Sequence, residues 1–135
     1  PPGKLCKVPV TSMDFYPTFL KLAGLKPSGK PIDGESLLPL FRKTGKLTRK
    51  TIYFHFPNYA WHMGNRLAGA VREGKWKMIR NYDDGSLELY DLQDDLSEKR
   101  NLAKQSPQVA KRLNQKLSRW LKETNAPMPA HVTNP

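Results

Sequence analysis

The spacing of apolar positions changes partway along this chain, and the change divides it into two stretches built on different periods. In the first, Phe15, Phe19 and Leu22 recur at helical intervals. Thr11 or Ser12 can cap that helix, Asp14 places a carboxylate in its first turn against the dipole, and Gly24 supplies the stop. Pro17 lies near enough to the start that its missing N–H costs little. The pattern therefore predicts a buried amphipathic helix after an extended lead from residue 8. The two prolines and two glycines between Lys26 and Gly34 read as a turn-rich connection. Leu37, Leu38, Leu40 and Phe41 then offer a short helix, which Pro39 limits to a turn or two. Lys43 to Lys50 is basic and, apart from Leu47, poor in large apolar residues, so the boundary between packing units is placed near residue 48.

Beyond it the period shortens to two. Thr51–Phe56, Leu67–Arg72, Trp76–Tyr82 and Ser86–Leu92 are rich in β-branched and aromatic residues, or alternate Leu87, Leu89 and Asp91 against Glu88, Tyr90 and Leu92. Glu73-Gly74-Lys75 and Asp83-Asp84-Gly85 supply the positive φ of tight reversals, which predicts hairpins and an antiparallel sheet. Register stays open, because a slip of one residue exchanges the two faces. Ser106-Pro107 starts the last element as a cap followed by proline at the first helical position. Ala110, Leu113, Leu117, Trp120 and Leu121 keep a helical period behind it, with Lys111, Arg112, Lys116, Arg119 and Lys122 mostly on the other faces. The expected fold is α+β: about four antiparallel strands packed by a C-terminal helix, residues 49–135, preceded by a separate piece, residues 1–48. After Thr124 the prolines direct the tail to run extended.

Composition narrows this picture modestly. With 135 residues, 38% apolar and 26% charged, the chain can bury a real but small core. No apolar run approaches the roughly 20 residues that span a bilayer, so no membrane partner is expected. A lone Cys6 excludes an internal disulfide, and three scattered histidines do not make a metal site. The net charge of +11 favours polyanions, but the basic residues are spread along the chain, which fits a generic solvated surface as well as a binding face.

Motifs of catalysis are absent. No glycine cluster precedes a helix to cradle phosphate, and no serine sits in a Gly-x-Ser-x-Gly elbow. The acidic pairs Asp83-Asp84 and Asp94-Asp95 fall in predicted turns, where Asp bonds its own backbone more readily than a hard metal. His55-Phe56-Pro57-Asn58-Tyr59-Ala60-Trp61-His62 is the most unusual segment, combining flat faces for stacking with donors for orientation. It suits a carbohydrate or anion site, and it equally suits an aromatic minicore closing the sheet. Arg72 has the same two readings, as a bidentate anion ligand in a cleft or as the partner of a nearby acid.

Four phrases carry a family resemblance. The first is Val8-Pro9-Val10-Thr11-Ser12-Met13-Asp14-Phe15-Tyr16-Pro17-Thr18-Phe19-Leu20-Lys21-Leu22-Ala23-Gly24, continued by Asp33-Gly34-Glu35-Ser36-Leu37-Leu38-Pro39-Leu40. The others are Ala68-Gly69-Ala70-Val71-Arg72-Glu73-Gly74-Lys75-Trp76-Lys77-Met78-Ile79 and Leu89-Tyr90-Asp91-Leu92-Gln93-Asp94-Asp95-Leu96-Ser97-Glu98-Lys99-Arg100-Asn101-Leu102-Ala103. In this order they resemble the C-terminal portion of type I, formylglycine-dependent sulfatases of the arylsulfatase or N-acetylgalactosamine-6-sulfatase kind. Leu96 stands where the family more often has proline.

The resemblance implies that residues 1–48 end an α/β, alkaline-phosphatase-like catalytic domain and that residues 49–135 are its C-terminal sheet and helix. It implies a sulfuric ester hydrolase in the full-length protein, with formylglycine and calcium held by motifs that lie earlier. Cys6, followed by Lys7-Val8-Pro9-Val10, does not fit the formylglycine motif, so this piece is expected to bind no cofactor and to hydrolyse nothing alone. By position His55, Tyr59, His62 and Arg72 are the expected substrate contacts, with Trp61 as a second stacking face. The expected partners are the N-terminal catalytic part and a sulfated carbohydrate or aryl sulfate, with no nucleic acid; the family implies a periplasmic or secreted protein. The rival reading is a basic module that binds nucleic acid or sulfated glycan without catalysis.

Overall fold

A computed structural model describes residues 3, 5–29, 31–42, 45–58 and 64–129. The chain forms two compact units, Pro1–Lys50 and Thr51–Pro135.

In the first unit a 3-10 turn, Ser12–Asp14, leads into helix α1, Phe15–Leu22, and the single-turn helix α2, Leu38–Phe41, follows. The unit is organised by polar groups. Asp14, with no exposed surface, accepts both Arg49 guanidinium nitrogens at 2.7 Å, the Thr11 N–H at 2.8 Å and the Glu35 N–H at 3.0 Å. The Arg49 guanidinium is the main reason its carboxyl lies well below the usual carboxylate range; those two N–H donors add to this, against burial. Glu35 accepts the N–H groups of Thr48 at 2.6 Å and Arg49 at 3.0 Å. The Thr18 hydroxyl donates to the Asp14 carbonyl and accepts the Leu37 N–H. Gly34 runs so close to this knot that a Cβ there would lie 2.0 Å from the Met13 carbonyl oxygen.

The expected buried face of α1 is the exposed one. Phe15, Phe19 and Leu22 are 51, 64 and 59% exposed, and the two rings stack on each other at the surface. Pro17 and Thr18 are the residues of α1 that point inward, because the small unit is closed by hydrogen bonds around Asp14.

The second unit is the α+β fold that the spacing predicts. Strands β1 (Thr51–Phe56), β2 (Ala68–Glu73), β3 (Trp76–Asn81) and β4 (Leu87–Asp91) form an antiparallel meander in the order β1-β2-β3-β4, followed by helix α3, Pro107–Glu123. The turns fall at the predicted glycines, with Gly74 at φ +57 and Gly85 at φ +70. Ser106 occupies the cap position of α3 without a side-chain cap bond; its carbonyl instead accepts the N–H groups of Val109 and Ala110.

Register settles which residues share a face. Val71, Met78 and Leu89 meet Ala110, Leu113, Leu117 and Leu121 of α3 in one core, and Val71, Met78, Leu89, Leu113 and Leu117 have no exposed surface. Each such side chain contributes roughly 1.5–3 kcal/mol of transfer free energy. Tyr53 stacks on Trp120 at 5.0 Å, extending the core to β1. Beside it Glu73 accepts Thr51, Arg112 and Lys116; burial alone would raise its pKa, but Lys116, Arg112 and Thr51 outweigh burial and hold it at about 2.

Candidate functional site

Among the described residues of this unit, no helix covers the other face of the sheet. Pairing aligns Ile52, Arg72, Lys77 and Tyr90 in one row and Phe54, Ala70, Ile79 and Glu88 in the next, with Phe56 opposite Ala68 beyond them. Because Ala68 and Ala70 are small, the middle of this face sinks into a hollow of about 510 Å³, walled by Phe54, Phe56, Ile79, Leu92 and Leu96 and reached by Arg66, Arg72, Lys77 and Glu98. Phe54, Phe56 and Leu96 remain 53, 45 and 77% exposed.

The cations of the hollow are not equivalent. Lys77 binds both Glu98 oxygens at 2.7 Å, and Arg66 pairs with Glu88 at 2.9 Å. Arg72 has no ion pair among the described residues, and its Nε is buried without a hydrogen-bond acceptor. A guanidinium presents five donors in a fixed fork suited to a carboxylate, phosphate or sulfate. Arg72 directly neighbours Lys77 across the strands, and Glu98 neutralises the lysine, so one positive charge stays uncompensated.

His55 lies on the opposite face from Arg72. Its Nδ1 is 2.6 Å from the Tyr82 hydroxyl and its Nε2 is 2.8 Å from the Pro127 carbonyl oxygen. Since that carbonyl only accepts, Nε2 carries the proton, and in the neutral ring Nδ1 accepts from Tyr82. Burial, the largest influence on it, raises the Tyr82 pKa and keeps the phenol protonated for this bond. Gly69 makes the approach possible: a Cβ there would meet the Tyr82 oxygen at 2.3 Å and Leu117 at 2.9 Å. Both ring nitrogens of His55 are thus used inside the domain, tying the end of β1 to the returning tail. Of the four expected contacts, His55 and Arg72 lie on opposite faces of the sheet, while Tyr59 and His62, like Trp61, lie outside the described residues.

The acidic pairs and the phrase from Leu89 to Ala103 resolve into turn chemistry. Asp84 accepts the Ser86 N–H, Asp91 the Gln93 N–H, and Asp95 the N–H groups of Lys99 and Arg100. Asn101 accepts the Leu89 and Ala103 N–H groups while Leu102 donates to the Leu89 carbonyl, sealing the edge of β4. Among the described residues no three His, Cys, Asp or Glu side chains converge to hold a metal ion, and Cys6 is an exposed single thiol. The described residues do not form a cluster that fits calcium, and Cys6, followed by Lys7-Val8-Pro9-Val10, does not fit a formylglycine centre. The apolar hollow around Arg72 is the feature that residue spacing missed, although Arg72 itself drew notice; Ala68-x-Ala70-x-Arg72, small residues leading to a cation on one face, was a signal for it.

The family profile described as N-sulphoglucosamine sulphohydrolase, C-terminal, matches residues 2–125. The chain belongs to this sulfatase C-terminal family. A protein of Formosa agariphila named Sulfatase is 32% identical over 133 residues, covering 87% of this chain and 24% of that protein. Human Arylsulfatase K is 34% identical over 117 residues, covering 80% of this chain and 21% of its own length. The structure of BT4656 in complex with its substrate D-glucosamine-2-N,6-O-disulfate superposes with a TM-score of 0.69 at 31% identity, over 84% of this chain and 24% of that one. The chain therefore spans about a quarter or less of the sulfatases it matches, and its sheet and helix have the architecture of their C-terminal domains. Among the described residues no helix is long and apolar enough to cross a membrane.

Proposed function

We propose that this chain is the closing piece of a sulfuric ester hydrolase, inactive alone, whose open sheet face receives the N-terminal catalytic part of the same protein and brings Arg72 to the border of the substrate cleft. The observation that carries this reading is the contrast within one sheet: its helix-side core is sealed, while the apolar hollow opposite holds a cation with no partner. The exposed Phe15, Phe19 and Leu22 of the first unit support it too, as apolar surface that a larger domain would cover, with the break placed near residue 48.

In that assembly Arg72 engages an anionic group of the substrate, His62 is a further substrate contact, and Tyr59 or Trp61 stacks on a sugar ring. His55 acts through position, fixing the strand end from which that segment departs. Formylglycine and calcium would belong to the catalytic part, where they would supply the nucleophile and the stabilisation of the transferring sulfate; no residue of this chain is assigned to hold them. The substrate is a sulfated carbohydrate or aryl sulfate, and the family favours a periplasmic or secreted enzyme.

In the full-length enzyme Arg72→Ala should lower kcat/KM about 10- to 100-fold, the value of a charge-assisted hydrogen bond, with an unchanged melting temperature. Unaltered kinetics would remove Arg72 from the cleft. Turnover of an aryl sulfate by residues 1–135 alone, with calcium, would overturn the proposal itself.

A further inference from the structure

The positive charge of the second unit sits on one surface. Outside α3, residues 51–135 hold eight Lys and Arg against eight Asp and Glu, a balance; α3 alone holds Lys111, Arg112, Lys116, Arg119 and Lys122 against Glu123. Arg112 and Lys116 share Glu73. Lys111, Arg119 and Lys122 are exposed and have no ion pair among the described residues. At 3.6 residues and 5.4 Å per turn, these three span about 16 Å of helix and fall with the exposed Gln108 and Gln115 inside an arc of about 80°, opposite the Leu113–Leu117–Leu121 seam.

Helix stability does not ask for this arrangement. The first turn of α3 has no acid, where the dipole would favour one, and its exposed face carries no acid four residues ahead of a cation. What the stripe offers is a row of cations interleaved with neutral amides, which suits a polymer presenting anionic groups between hydroxyls. It lacks the exposed aromatics on which single-stranded nucleic acid stacks, because Trp120 is turned in against Tyr53.

We propose that the solvent face of α3 is an accessory site for a sulfated polysaccharide chain, holding a polymeric substrate outside the reaction pocket through Lys111, Arg119 and Lys122. This rests on the sulfatase reading for its substrate class, and it predicts that length of the substrate matters as well as its sulfated unit.

The test uses the full-length protein and two polymers, heparin and dextran sulfate, with desulfated dextran and duplex DNA as comparators. Lys111→Gln/Arg119→Gln/Lys122→Gln should weaken binding of the sulfated polymers about tenfold or more and lower the slope of log affinity against log salt by about two. Removing three exposed charges elsewhere, Lys7→Gln/Lys21→Gln/Lys26→Gln, should leave both close to wild type; equal losses in the two variants would reduce the effect to net charge and overturn the proposal. So would binding of duplex DNA as tight as that of heparin. On turnover, the α3 variant should lose kcat/KM on polymer and keep it on a small aryl sulfate, whereas an equal loss on both, or none on either, counts against an accessory site. Polymer binding that depends on these cations in a protein that turns over no sulfate ester would retain the site and defeat the enzymatic reading instead. Should the triple variant fold poorly, Lys122→Glu alone, at the exposed helix end, must weaken heparin binding several-fold for the assignment to hold.

Discussion

The two faces of the sheet come from the same four strands, residue by alternate residue, and they are finished differently. Toward α3, Val71, Met78 and Leu89 meet leucines from a helix in the same chain and keep no exposed surface. Away from it, Ala68 and Ala70 leave a hollow, and Phe54, Phe56 and Leu96 face outward. A sheet whose stability needed both faces would not tolerate this; one face must supply the stability, which frees the other to be shaped for a partner.

Substitution on the sealed face should therefore do most damage. Leu117→Ala, in a fully buried position, should cost about 2–5 kcal/mol, seen as a lower urea midpoint with an unchanged slope. Next come the supports of the clasp at the end of β1. His55→Ala leaves the Tyr82 hydroxyl and the Pro127 carbonyl without their partner and should cost about 1–3 kcal/mol, and Gly69→Ala should cost a similar amount through overpacking; thermal melts of both variants check this. If His55→Ala keeps its melting point and raises KM in the full-length enzyme, the histidine is a substrate contact after all.

Smaller effects follow at the edges of both faces. Glu73→Gln should lose about 1 kcal/mol, since Arg112 and Lys116 are half exposed and regain water. Because the Glu73 carboxyl falls from 4.5 to about 2 on folding, its stabilisation is complete above pH 4.5 and disappears as the pH drops toward 2. The variant should therefore lose that part of the acid dependence in melts taken across this range. Leu96→Ser on the open face should shift the stability of the chain by under about 0.5 kcal/mol, yet lower the melting temperature of the full-length protein if the catalytic part covers it. A large loss in the chain alone would mean that the two faces do not divide the work.

Much of this fold is legible in residue order because its contacts are local. The strand runs 51–56 and 76–82, the glycine turns and the Ser106-Pro107 start lie within one or two residues of the observed bounds. Faces were harder. Alternation at Leu87, Leu89 and Asp91 marked a pair of sides without saying which side α3 takes, and the small Ala68 and Ala70 are silent until register sets them opposite Phe56 and Phe54. The first unit misleads for a different reason: Phe15, Phe19 and Leu22 have the period of a buried stripe, but what closes this unit is Asp14 with Arg49, a partner 35 residues away that no periodicity reports. His55 drew notice through its neighbours in sequence, while its bonds to Tyr82 and Pro127 depend on a chain return that only three dimensions supply.

The meander places its helix last, and this sets an order of events during translation. The ribosome delivers β1 through β4 before any residue able to seal them, so the strands wait until Leu113, Leu117 and Leu121 have emerged. A premature stop codon between the fourth strand and Leu113 would release a sheet with its core face bare, a substrate for proteases and for aggregation rather than a slightly shortened protein.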